Sequence, residues 1–192
     1  MMDVVDALQV LVEARRDDAV VIAQMGSARE WPRLSRHRLD FIYAPSAMGG
    51  GPPLGLGIAL AQPDRPVTVI SGDGSLLMSL GCLVSIVASG VKNYSLVLLD
   101  NGVYEITGGQ RTAAGPATDF AGFARAAGFP SVARFDRLDA WREGAAEILA
   151  SPGPRFIWLK VEPVRDDYGL SPPLPMKEQA ARFRQALEAA QH

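Results

Sequence analysis

The chain has 192 residues, 48 % of them apolar and 21 % charged, and a net charge of −2 at neutral pH. That length suits one domain with a substantial core, and the interspersed acids and bases exclude the electrostatic footprint of a nucleic-acid or anionic-membrane binder. The single cysteine, Cys82, excludes an intramolecular disulfide and suits a reducing cytoplasm.

Val4, Val5, Leu8, Leu11 and Val12 recur at helical spacing, so an amphipathic helix is expected to open the chain. The start MMDVVDALQV carries acids where a signal peptide needs bases, and no export is expected from it. The β-branched run AVVIAQ (19–24) predicts a buried strand. GSAREWPRL (26–34) predicts a helical turn capped by Ser27, with Glu30 three residues on. FIYA (41–44) is a second strand, followed by the loop PSAMGGGPPLGLG (45–57) and the small-residue helix PLGLGIALAQ (53–62). PVTVIS (66–71) is a third strand, running into the turn Gly72-Asp73-Gly74 and a helix through about Ser89. YSLVLLD (94–100), SVARF (131–135) and RFIWLKV (155–161) complete six strands, with helices at about 119–127 and 138–150 between them. Two long uncharged stretches, 41–63 and 74–91, are broken by prolines, glycines and serines and do not read as membrane spans.

Strands alternating with helices predict a parallel sheet covered on both faces, and runs such as TVI, LVLL and FIWL are continuously apolar, as burial on both faces demands. The expected class is α/β: a three-layer α/β/α, doubly wound, mainly parallel six-stranded sheet. The tail VRDDYGLSPPLP (164–175) reads as a Pro-rich connector to a last helix at about 177–190, with Met176, Ala180, Phe183 and Leu187 on one stripe. No internal repeat or boundary is visible, so residues 1–192 read as one domain.

Two short motifs carry chemistry. Taken singly, Gly72-Asp73-Gly74 is a strand-to-helix turn whose glycines supply positive φ and whose acid caps a helix, and Asp100-Asn101-Gly102 is a common tight turn. Taken together, Asp73 and Asn101 each end a parallel strand, 28 positions apart, the length of one helical crossover plus a strand. If those strands are neighbours, a carboxylate, an amide oxygen and a loop carbonyl meet at one sheet edge. That sparse oxygen set suits Mg²⁺, which completes its shell with phosphate and water. The helix beginning at Ser75 offers unpaired N–H groups to the same phosphate.

GDGS, with Asn101 of LLDNGVY 26 positions beyond Ser75, resembles the metal and diphosphate signature of thiamine-diphosphate enzymes. The likeness extends over residues 25–110, through MGSARE, SAMGGGPPLGLGIALAQPDRPV, GDGSLLMSLG and DNGVYEITGGQ. In pattern it resembles the cofactor-diphosphate-binding halves of sulfopyruvate decarboxylase (its β subunit) and phosphonopyruvate decarboxylase. The resemblance implies thiamine diphosphate and Mg²⁺ as cofactors, with Asp73 and Asn101 as side-chain metal ligands and Val103 giving its backbone carbonyl. Gly74, Ser75 and Ile106 would present N–H or hydroxyl groups to the diphosphate, and Gly72 and Tyr104 belong to the same cofactor-binding segments. Met48 would prop the cofactor into its V shape, and the Ser46 carbonyl would accept from its exocyclic amine. Thr107 and Gln110 of TGGQ would lie near the thiazolium and the substrate, and Arg29 and Arg111 could meet an anionic substrate head. The chain departs from the family at Ser46, where Gly is frequent, and at Cys82, where an acid is.

What such chemistry also needs is a glutamate, on a second homologous domain, that protonates the pyrimidine ring. Glu13, Glu30 and Glu105 lack that setting, so no catalytic residue is expected in this chain. The resemblance implies one subunit of a heteromeric carboxy-lyase acting on a small 2-oxo acid, completed by a pyrimidine-binding, α-type partner. Self-association is also expected, since the cofactor loop and the helix at 53–61 would otherwise expose apolar surface. Three other readings stand beside it: the β component of a 2-oxo acid oxidoreductase, a non-catalytic cofactor-binding module, and a generic flavodoxin-like nucleotide-binding domain. The first of these would bring iron–sulfur cysteines, which the lone Cys82 does not supply.

Overall fold

Residues 1–115, 117–164 and 173–189 are described by a computed structural model. The middle of the expected connector, 165–172, lies outside the described residues. In chain order the elements are α1 (Val4–Ala14), β1 (Val20–Gln24), α2 (Gly26–Leu34), β2 (Asp40–Tyr43), α3 (Gly51–Ala61), β3 (Val67–Gly72), α4 (Asp73–Leu77), α5 (Cys82–Ala88), β4 (Tyr94–Asp100), β5 (Val103–Tyr104), β6 (Gln110–Arg111), α6 (Phe120–Ala127), β7 (Ser131–Phe135), α7 (Leu138–Ala150), β8 (Arg155–Lys160) and α8 (Met176–Ala189). Six strands form one sheet in the order β2-β1-β3-β4-β8-β7, and every pair in it is parallel.

The inner strands are largely apolar because they send alternate residues into two different cores. Leu96 and Leu98 of β4 join Val67, Val69 and Phe156 beneath α3, α5, α6 and α8. Val97 and Leu99 join Val21, Ile70 and Ile157 beneath α1, α2 and α7. Trp141 of α7 is buried and donates its indole N–H to Ala7 O of α1 at 2.9 Å, which ties the second layer together. The expected three-layer α/β/α sheet is the observed one.

Local details differ from expectation. Asp3 caps α1, accepting from Val5 N and Asp6 N, while Val5 itself is exposed. Ser27 is not a helix cap: α2 begins at Gly26, and the Ser27 hydroxyl donates to Gln24 O at 2.8 Å instead. The expected long helix after the Gly-Asp-Gly turn is two short ones. The interruption lies where Gly49 packs so closely that a Cβ there would sit 2.7 Å from Ser79 Cβ. On α8, Phe183 and Gln179 are buried, whereas Ala180 faces outward.

Two glycines of α3 separate close packing from mere backbone freedom. A Cβ at Gly55 would lie 2.1 Å from Val69 Cγ2, whereas one at Gly57 would meet nothing within 4 Å. Gly55→Ala is therefore expected to destabilise by about 1–3 kcal/mol through overpacking. Gly57→Ala, in the same helix, should stabilise by about 0.4–1 kcal/mol by restricting the unfolded chain. Urea-unfolding midpoints of the two variants should move in opposite directions.

Candidate functional site

The sheet reverses its winding between β1 and β3, since β2 lies on the far side of β1. Ligands of open α/β sheets bind at the carboxyl ends of strands at such a switch point. Here β1 ends at Gln24, β3 at Gly72 and β4 at Asp100, and a cavity lies over these ends. Met25, Gly26, Ser27 and Glu30 line it from the β1–α2 junction, Met48 from the loop before α3, and Gly72, Asp73, Gly74 and Ser75 from the β3–α4 turn. Leu99, Asn101, Val103, Tyr104, Glu105, Ile106 and Thr107 close another side, and Val4, Val161, Glu162 and Val164 complete the wall. Met25 holds φ of 55°, a left-handed value that a non-glycine residue adopts at a cost of about 1–3 kcal/mol.

Asp73 is the first residue of α4 and is 1 % exposed. The β3–β4 register pairs Gly72 with Leu99, which sets Asp73 level with Asp100 and Asn101 one step further on. Asp73 and Asn101 therefore leave the same edge of the sheet and line one cavity. The Asp73 carboxylate accepts from Thr112 Oγ1 at 2.8 Å. Burial raises its pKa above the usual carboxylate range; the Thr112 bond opposes the rise, and the like charge of Asp100 adds to it. Among the described residues no cation pairs with Asp73. Asp100, by contrast, is already paired with Lys160 Nζ and with the Trp158 indole, each at 2.8 Å.

Asn101 forms a turn in which its Oδ1 accepts from Val103 N at 3.0 Å. The segment that follows is an antiparallel hairpin of β5 and β6 around the 3-10 turn Glu105–Thr107. Thr112 N–H bonds Gly102 O at 2.9 Å. That makes Gly102 and Thr112 a hydrogen-bonded pair, so the next pair, Val103 and Arg111, is non-bonded and the Val103 carbonyl turns away from β6.

Neither glycine of the β3–α4 turn takes a positive φ, and Gly74 alone serves space. Gly72 has φ of −85°, an ordinary extended value. At Gly74 a Cβ would lie 2.3 Å from the Tyr104 ring and 3.0 Å from Thr112 Cγ2. Only a bare Cα lets Tyr104 lie against the turn. The Ser75 hydroxyl accepts from Gly49 N–H at 2.9 Å and from Gln24 Nε2 at 3.0 Å. Gln24, fully buried, also donates to Ser71 Oγ at 2.6 Å and accepts from Gly51 N–H at 2.8 Å. This network docks the loop bearing Met48 onto the β3–α4 turn. In the first turn of α4, whose N–H groups lack intrahelical partners, those of Asp73 and Gly74 turn to the Asp73 carboxylate.

The fold thus gathers Met48, Gly72, Asp73, Gly74, Ser75, Asn101, Val103, Tyr104, Ile106 and Thr107 around one cavity. Ser46 and Gln110 stand off it. The Ser46 hydroxyl points at Met25 Sδ, 3.8 Å away, and exposed Gln110 bonds Thr107, its Nε2 to Thr107 O at 2.8 Å. Arg29 gives its Nε to buried Glu30 at 2.5 Å and Arg111 is exposed on β6, so neither lines the cavity. Cys82 is buried among apolar side chains, and burial pushes its thiol up to about 11. Thr112, Gln24 and Glu105 were missed from the sequence. Glu105 accepts from Val164 N–H at 2.8 Å and so joins the hairpin to the chain after β8. Single polar residues outside a motif give no sequence signal.

Chemically the cavity brings together a buried carboxylate, Asp73, an amide, Asn101, and the start of a helix. A buried carboxylate without a counter-charge and a turn stripped of Cβ atoms fit a hard divalent ion carrying a phosphate. Among the described residues no helix is long and apolar enough to cross a membrane.

The family model described as thiamine pyrophosphate enzyme, C-terminal TPP binding domain, matches residues 22–159. The chain is 40 % identical over 176 residues to a phosphonopyruvate decarboxylase of Streptomyces viridochromogenes, covering 92 % of this chain and 44 % of that protein. It is 33 % identical over 173 residues to the sulfopyruvate decarboxylase subunit beta of Methanothermobacter thermautotrophicus, covering 87 % of this chain and 86 % of that subunit. The chain therefore spans under half the length of the first relative and most of the second. The solved benzoylformate decarboxylase of Polynucleobacter necessarius superposes on 84 % of this chain, and on 33 % of its own, with a TM-score of 0.69 at 19 % identity, which shows a shared fold.

Because Asp73 ionises at higher pH when folded than when unfolded, its charged form destabilises the ligand-free fold. The cost is present above the folded pKa and is relieved as pH falls through it. Asp73→Asn keeps an acceptor for Thr112 and removes the charge. It should raise the ligand-free melting temperature at pH 7.5 by about 2–4 °C for each kcal/mol of cost. The gain over wild type should shrink on acidification. Calorimetry at several pH values checks both.

Proposed function

This chain belongs to the thiamine pyrophosphate enzyme family, as its C-terminal TPP binding domain, and on that premise we propose that it is the cofactor-diphosphate- and Mg²⁺-holding subunit of a 2-oxo acid decarboxylase. The observation that carries the proposal is the convergence of Asp73 and Asn101, from the ends of adjacent parallel strands, on one cavity. In this reading Asp73, Asn101 and the Val103 carbonyl hold the ion. N–H groups of Gly74, Ser75 and Ile106 receive the diphosphate, with Gly72 and Tyr104 shaping the turn. Met48 backs the cofactor, and the Ser46 carbonyl accepts from its aminopyrimidine. Thr107 and Gln110, on the hairpin, face the substrate. Once bound, thiamine diphosphate supplies the electron sink that lets a 2-oxo acid lose CO₂. The chain's own residues bind and orient it and keep its charged tail out of water.

The activating glutamate belongs, in this reading, to a pyrimidine-binding, α-type partner subunit. The similarity to a protein named as a β subunit, over 86 % of that subunit, supports it. Residues 1–192 then form a single cofactor-binding unit of a heteromeric cytoplasmic carboxy-lyase. Exposed Leu60, Met78 and Val84, on the uncharged stretches 41–63 and 74–91, support a protein interface beside the site, with self-association when the partner is lacking.

Isothermal titration of the full chain should detect thiamine diphosphate binding that needs Mg²⁺. Asp73→Ala should weaken it by two orders of magnitude or more, the loss of a ligand outweighing the ~10–100-fold of an outer-shell change. Decarboxylation of sulfopyruvate or phosphonopyruvate should appear only when a pyrimidine-binding subunit is added. Unchanged affinity in Asp73→Ala, or robust turnover by this chain alone, contradicts the proposal. Binding without partner-dependent turnover on any 2-oxo acid points to a non-catalytic module.

A further inference from the structure

Thr112 belongs to no motif, yet it is the one side chain whose hydroxyl reaches Asp73 among the described residues, at 2.8 Å. It is 8 % exposed and sits at the foot of the hairpin, where its N–H closes onto Gly102 O at 2.9 Å. Its two branches do different things: Cγ2 packs at Gly74, where a Cβ would come within 3.0 Å of it, and Oγ1 faces the carboxylate. Thr is β-branched and stiff about χ1, so a methyl packed on one side fixes where the hydroxyl points.

Resting on the function proposed above, we infer that Thr112 is the positioning residue for cation capture. Its hydroxyl holds the Asp73 carboxylate in the rotamer in which it meets the ion, and so links the hairpin that carries Val103 to the β3–α4 turn. A carboxylate anchored through Oδ2 cannot swing about its Cβ–Cγ bond, so its other oxygen keeps one position before any ion arrives. The ordering cost is then met on folding rather than on binding. The choice of donor matters as much as its place. A Lys or Arg here would neutralise Asp73 and compete with a divalent ion. A hydroxyl satisfies one lone pair and leaves the negative charge intact. Both halves of the oxygen set, Asp73 after β3 and the Asn101–Val103 turn after β4, are therefore held together by a bond that needs no ion to form.

The test titrates Mn²⁺ into the full chain with thiamine diphosphate in excess, reading bound ion by electron paramagnetic resonance, for wild type, Thr112→Val and Thr112→Ser. Thr112→Val keeps the methyl against Gly74 and removes the hydroxyl; it should bind the ion about tenfold or more weakly, as loss of an outer-shell partner does. Thr112→Ser should bind like wild type. Thermal unfolding without ligand is measured alongside, and Thr112→Ala replaces the valine variant if that one does not fold. A purely structural role would lower the melting temperature of Thr112→Val and leave its ion affinity alone. The inference is overturned if the hydroxyl-free variants bind as wild type does, or if Thr112→Ser falls as far as Thr112→Val. If wild type itself takes up no ion with the cofactor, this inference and the proposed function both fall.

Discussion

A carboxylate that is 1 % exposed and has no cation beside it, among the described residues, is the most expensive group in this fold. Asp73 is held there by a neutral hydroxyl while the acid next to it in the sheet, Asp100, has already taken the available lysine. Much of the site follows from that imbalance. A charge buried without a partner is kept where something else will balance it, and the surrounding groups are oxygens and N–H donors rather than amines. Glu105 and Glu162 add further acid to the cavity wall, so a bare diphosphate would meet repulsion there. A divalent ion reverses the local sign and makes the same wall compatible with a phosphate.

The topology explains why residues from four separate segments meet. Winding reverses between β1 and β3, which opens a crevice at the carboxyl edge, and the loops leaving β1, β3 and β4 all run into it. Gln24 occupies the centre of this crossing. Its amide bonds Ser71 and Ser75 on one side and Gly51 on the other, so the glycine-rich loop and the Gly-Asp-Gly turn share one buried hinge of hydrogen bonds. A Cβ at Gly51 would lie 2.4 Å from that amide. Gly49, Gly51 and Gly74 are thus places where backbone meets side chain or ring, as Gly74 meets Tyr104.

The fold was legible because its signal is periodic. Continuous apolar strands alternating with amphipathic helices leave little besides a covered parallel sheet, and all six strands were read within a residue or two. The placement of Asp73 and Asn101 at the ends of neighbouring strands was legible because their spacing matches one crossover, and β3 and β4 are indeed paired. The details that escaped are contacts between segments distant in sequence. Ser27 looked like a cap because Glu30 followed at capping-box spacing, yet Glu30 is drawn to Arg29 and Arg33. The Ser75 hydroxyl accepts from Gly49 and Gln24, 26 and 51 residues away. Thr112 lies 39 residues from Asp73. No local pattern announces such partners; only the closed hairpin brings them together.

Crystals of the chain grown with thiamine diphosphate and Mn²⁺ give the most direct measurement, because the anomalous signal locates the ion without reference to the protein's own density. The account predicts one peak between Asp73 and Asn101, at about 2.0–2.3 Å from a carboxylate oxygen, the amide oxygen and the Val103 carbonyl, with the diphosphate on its open side. An ion seated elsewhere in the cavity, on Glu30 or Glu162 for instance, with Asp73 still bonded only to Thr112, would contradict it.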